Sequence, residues 1–131
     1  MMEITEEYLE ELFKEADASP RLRTNVDLRN SEHDGSQRML NVLLPGTKVD
    51  IHRHPMSSES VLCLVGRIDE VLYDDNGRET ERIHLCPSEG RYGCQVPKGS
   101  WHTVEVLEPS VIFEAKDGAY GADKSERLLR P

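Results

Sequence analysis

The chain has 131 residues, of which 37% are hydrophobic and 31% charged, with a formal charge of −9 and a pI near 5.0. That length suits one domain around one core. The acid excess makes nucleic acid and anionic membrane poor partners, and no window approaches the 18 apolar residues a spanning helix needs.

The first predicted element is a helix. Ile4, Tyr8, Leu9, Leu12, Phe13 and Ala16 recur at three- and four-residue spacing. Thr5 can cap it, Glu6 and Glu7 suit its positive end, and Ser19-Pro20 stops it. The opening MMEITEEYLEELF is acidic, without the basic start and unbroken apolar run of a secretory signal. Three cysteines, Cys63, Cys86 and Cys94, include no CxxC pair. Reduced thiols in a cytoplasmic protein are expected.

Beyond Pro20 the period changes to two. RLRTNVDL alternates Arg21, Arg23, Asn25 and Asp27 with Leu22, Thr24, Val26 and Leu28. RMLNVLL, TKVDIHRH, SVLCLVG, RIDEVLY, ERIHL, GCQV, WHTVEVL and VIFEA follow as short strand candidates. Pro45-Gly46, Asn76-Gly77, Glu89-Gly90, Pro97-Lys98-Gly99 and Glu108-Pro109 mark turns between them. Asn76-Gly77 predicts a type I′ hairpin. One helix followed by eight or nine strands reads as an all-β barrel or two-sheet sandwich. The expected organisation is a helix over 1–18, a barrel over 19–120 and a C-terminal tail over 121–131, the tail a weak helix or loose.

GTKVDIHRHPMSSESVLCLVG, residues 46–66, carries the chemistry. Residues two apart on a strand share a face, so His52 and His54 point together. The PMSS turn can return Glu59 beside them, with Val61, Cys63 and Val65 in phase as an apolar wall. PKGSWH, residues 97–102, makes a tight turn and starts a strand at His102, which can supply a fourth ligand. Three imidazoles and a carboxylate suit one divalent transition metal (zinc, iron, manganese or nickel, with copper also compatible) and leave positions open to water or substrate. An isolated His on a strand is ordinarily a core or surface residue. The spacing Gly46, His52, His54, Glu59, Gly66 arises by chance roughly once per million starting positions at ordinary residue usage.

These residues resemble the cupin superfamily. Residues 46–66 satisfy its first motif, G-x5-H-x-H-x3–4-E-x6-G, at every position. Gly90, Pro97, Gly99 and His102 match its second motif, with six residues between Gly90 and Pro97 and Val106 in place of the closing Asn. The resemblance implies a small jelly-roll barrel holding a metal on His52, His54, Glu59 and His102. SPRLRTN, SQRMLNVLLPGT, HRHP, PKGSWHTV, LEPSVIFEAKDGAY and a late DK resemble, more narrowly, the WbuC family of cupin-fold metalloproteins. Members of that family are often encoded among bacterial genes for O-antigen and other surface polysaccharides.

Arg21, Arg23 and Asn25 share one strand face, and Gln37, Met39 and Asn41 share the next. They form either a solvated outer face or a ligand grip at the barrel mouth. Arg38 points opposite to Gln37 and can brace a carboxylate. Tyr92 and Tyr120 are candidates for the mouth. Trp101 faces away from His102, Cys63 is expected in the core, His33 in a loop, and His84 on a strand as a surface or core residue. The substrate-binding set is therefore Arg21, Arg23, Asn25, Gln37, Arg38 and Tyr120. The expected activity is isomerisation or epimerisation of a sugar or nucleotide sugar. The alternatives are a non-catalytic metal-dependent module binding a sugar or small acid, and a dioxygenase. A homodimer is expected.

Overall fold

The computed structural model describes residues 1–118 and 125–128. Helix α1 spans Glu6–Ala18, with Thr5 as its N-cap accepting from the Tyr8 amide at 3.1 Å. The strands are β1 Arg23–Asp27, β2 Ser36–Leu43, β3 His52–Arg53, β4 Glu59–Val65, β5 Ile68–Tyr73, β6 Glu79–Leu85, β7 Gly93–Val96, β8 Trp101–Val106, β9 Ser110–Asp117 and β10 Glu126–Arg127. They form two five-stranded antiparallel sheets, β1-β2-β9-β4-β7 and β10-β3-β8-β5-β6. Among the described residues no helix is long and apolar enough to cross a membrane.

Two apolar layers hold this together. Leu43, Val61, Cys63, Ile68, Leu85, Val96, Val104 and Ile112 fill the space between the sheets. Leu12 and Ala16 of α1 pack with Leu40, Val42 and Val111 on the outer face of the first sheet. Fully burying a leucine contributes about 1.5–3 kcal/mol, so α1 is fastened by its packing. The first sheet is thus apolar on both faces of β2 and β9, which is why those strands lack clean alternation.

The outer face of the second sheet is held by charge. Asp69 is buried there, accepting from Arg82 at 2.9 Å and lying 2.5 Å from His84 Nδ1. Arg82 also pairs with Glu79 and Glu105. His84 is thus a half-exposed partner of a buried carboxylate, and His33 is an exposed loop residue near Glu32.

Several local expectations change. TKVDIHRH pairs as a strand only at His52–Arg53. Arg21 lies before β1, because Leu22 takes a left-handed φ of 58° that breaks the alternation. The β5–β6 connection is a hairpin, but of the pair Asn76-Gly77 only Gly77 has positive φ, so it is not type I′. Instead Asp74 Oδ1 accepts from the Asn76 and Arg78 amides. In β4 the register shifts between Cys63 and Val65, and Val65 turns out to solvent instead of lining the interior. Part of the expected tail, residues 121–124 and 129–131, lies outside the described residues, whereas Glu126–Arg127 form β10.

Candidate metal centre

His52 ends up beside His102 because β3 pairs with β8 at that one register position. His54 follows β3, and its carbonyl accepts from the Gly99 amide at 3.0 Å, which ties the first histidine segment to the PKGSWH turn. Gly99 has a φ of 76°, which that turn requires. One ligand atom from each of His52, His54 and His102 lies within 4.8 Å of the others. Glu59, the first residue of β4, brings Oε2 to 3.3 Å from His54 Nε2, reaching it from the other sheet. The three histidines therefore come together, and Glu59 stands beside one of them, His54.

The imidazoles suit a metal. His52 Nδ1 sits 2.8 Å from the Asp50 carbonyl and His102 Nδ1 2.9 Å from the Ser100 carbonyl. A carbonyl only accepts, so each Nδ1 carries the proton and each Nε2 presents its lone pair. His102 Nε2 is buried without a hydrogen-bond partner, as a metal-ligating nitrogen would be before metal is counted. Burial lowers the pKa of both rings, that of His102 to about 4, with the neighbouring imidazoles adding to the effect there. They are neutral, ligand-ready donors at neutral pH.

Around them lie two small pockets. One, of about 200 Å³, is lined by Gln37, Met39, Asn41, Lys116, Glu114 and the residues His52, His54 and Glu59. The other, of about 140 Å³, includes Arg23, Asn41, Glu114, His52, Glu59 and His102. Register explains the first set: Gln37, Lys116 and Glu59 are cross-strand partners on β2, β9 and β4. The β2 face Gln37-Met39-Asn41 is thus the inward one.

Glu114 was not predicted. It is half-buried, accepts from Asn41 Nδ2 and shares a hydrogen bond with Glu59. Two carboxyls can share a hydrogen bond only around one proton, and burial followed by the Glu59 charge raises the Glu114 pKa well above the ordinary range. A second unforeseen acid, Glu70 on β5, is fully buried with neither oxygen hydrogen-bonded, and burial holds it neutral. Lys116, also unforeseen, is buried on the inward phase of β9. A signal existed for Glu70: in RIDEVLY it stands in phase with Ile68 and Leu72. For Glu114 it was masked, because Val111, Phe113 and Ala115 make the opposite face of β9 the more apolar one.

The remaining predicted residues are spread out. Arg21 and Arg23 line a hollow that adjoins His52. Asn25 is exposed, opposite Asn41. Arg38 faces outward and does brace a carboxylate, that of Asp34, at 2.9 Å. Tyr120 lies outside the described residues. Tyr92 is exposed and lines neither metal pocket. Trp101 faces away from the site, donating to Asp75 and stacking under Arg53. The Cys63 and Cys94 thiols are pushed up by burial to about 11 and 12, so neither is an activated nucleophile.

Two facing antiparallel sheets with a histidine cluster between them are the arrangement of the cupin fold, and solved cupin structures share that fold with this chain. The chain superposes on CapF, solved with the inhibitor 3-isopropenyl-tropolone, with a TM-score of 0.70 and 17% identity over 84% of this chain and 33% of that one. For an oxalate oxidase in complex with glycolate the TM-score is 0.65, with 13% identity over 85% of this chain and 57% of that one. A cupin 2 domain-containing protein from Halorhodospira halophila gives 0.59, with 17% identity over 83% and 70%. The chain thus spans about a third of CapF, and at these identities the likeness is one of fold. No curated protein matches the chain. Residues 4–85 match the family model of DUF6016, a domain of unknown function, and the chain belongs to that family.

Proposed function

We propose that the protein is a mononuclear metal-binding cupin, with His52, His54, Glu59 and His102 holding one divalent transition metal: zinc, iron, manganese or nickel. The observation that carries this is the convergence of three imidazole donors, two with their tautomers fixed by backbone carbonyls and one with a buried, unpartnered Nε2. A metal bound there supplies Lewis acidity that polarises a carbonyl or hydroxyl. Asn41, Gln37 and Lys116 orient a polar ligand from the opposite wall, and Arg23 holds an anionic end.

The activity we propose is isomerisation or epimerisation of a sugar or nucleotide sugar in a cytoplasmic step of surface-polysaccharide synthesis. Its support is the resemblance to the WbuC family. The small pockets, each 200 Å³ or less, also suit a binding module that takes a small acid or sugar without turning it over. Exposed Leu62, Leu64, Val65 and Tyr92 support the expected homodimer.

Metal analysis of protein purified without added metal tests the centre. Stoichiometric metal is expected in wild type and its loss in His52→Ala and His102→Ala; equal content in all three would sink the reading. Turnover of nucleotide sugars, with binding measured in parallel under air and under nitrogen, separates enzyme, dioxygenase and module.

A further inference from the structure

Beside the histidines the barrel opens into a vestibule of about 480 Å³, lined by Arg21, Arg23, Lys48, Asp50, His52 and Arg127 among others. Arg23, Val49 and His52 line both this hollow and the 140 Å³ pocket at the histidines, so the two adjoin across these side chains. The chain as a whole has 25 acids against 16 bases. Here four cations meet one carboxylate, a local reversal of the protein's charge. Asp50 reaches Arg127 at 3.4 Å, and both are exposed. Arg23 is half-buried, and among the described residues no carboxylate pairs with its guanidinium.

We propose that this vestibule binds the phosphate or diphosphate of a phosphorylated small molecule whose oxygen-rich end reaches the histidines. A partly desolvated, unpaired guanidinium is costly until an anion satisfies it. One carboxylate needs one guanidinium fork, whereas three guanidiniums and an ammonium suit a group of two or more charges with several acceptor oxygens. Size points the same way. Ordinary ligand pockets run about 300–1,000 Å³, so the 140 Å³ space at the histidines takes only one end of a ligand and the vestibule takes the rest. The far end rests on the metal reading above; the phosphate grip does not require it.

The test uses metal-free protein, because phosphates chelate metal ions. Inorganic pyrophosphate and glucose 1-phosphate are titrated calorimetrically against glucose and glucuronate. Pyrophosphate and the sugar phosphate are expected to bind, more weakly as salt is added. Arg23→Gln should weaken binding about ten-fold or more, the loss of one charge-assisted hydrogen bond. Lys48→Gln, at an exposed position where folding is not at stake, should weaken it less. Arg38→Gln, outside the vestibule, should leave it unchanged. Absence of pyrophosphate binding, glucuronate binding as tightly as glucose 1-phosphate, or unchanged affinity in both Arg23→Gln and Lys48→Gln would overturn the proposal. Metal content of the wild-type preparation before stripping separates the two readings: metal bound without phosphate affinity removes this inference alone, and phosphate affinity without metal removes only the metal centre.

Discussion

His52 and His102 owe their orientation to backbone carbonyls two residues upstream, not to side chains. Substituting Asp50 or Ser100 should therefore disturb metal uptake far less than substituting either histidine. Asp50→Ala is expected to keep full metal content, with loss of metal the contrary result. Glu70 makes the opposite case, a side chain whose surroundings give it nothing. Burial raises its pKa above the unfolded value, so between that value and its native one the folded state binds more protons than the unfolded. Stability should fall as pH rises through that window, by roughly 1.4 kcal/mol per pH unit at most. Glu70→Gln, which mimics the neutral acid, should be more stable than wild type near neutrality and show a flatter dependence of melting temperature on pH. Equal pH profiles would mean Glu70 is ionised or solvated. Three of the four candidate ligands, His52, His54 and Glu59, were legible because their spacing is local and specific, whereas His102 was reached only through the separate PKGSWH segment. Glu114 and Lys116 were not, because their partners Asn41 and Glu59 become neighbours only through β2–β9 and β4–β9 pairing.

Elements meet the site at their ends, and the ends carry the constraints. Gly66 closes β4 with a φ of 94°, and a Cβ there would run into the Pro109 carbonyl and Ser110. Gly66→Ala should cost about 2 kcal/mol or more, read as a lower midpoint in urea. The motif thus fixes this glycine for backbone reasons although it touches no ligand. On the outer face of the second sheet, Arg82→Ala would leave buried Asp69 with His84 as its remaining side-chain partner, a loss of about 1–3 kcal/mol. Chemical denaturation at low and high salt would check it; an effect that vanishes in salt would mark a surface pair instead. Helix α1 and most strands were legible from period alone. The length of β3 was not: TKVDIHRH reads as eight residues of strand, but the available partners, β8 and β10, hold only two of them.

At the scale of the molecule, the site lies where segments far apart in sequence meet. β3 is flanked by β8 and by β10, which adds the Arg53–Glu126 ion pair at 2.8 Å and a hydrogen bond from the Leu128 amide to the Ile51 carbonyl. Deleting residues 126–131 should weaken metal binding while leaving both apolar layers, and hence the main thermal transition, nearly intact. A large fall in melting temperature with unchanged metal affinity would contradict this. That clip also has a consequence for how the protein is made. The pair Arg53–Glu126 spans 73 positions, and His102 is itself some fifty residues beyond His52. On a ribosome, α1 and the first strands emerge long before the ligand shell can close. A metal held by these histidines would then be acquired only after synthesis of this region, from whatever supply the folded protein meets.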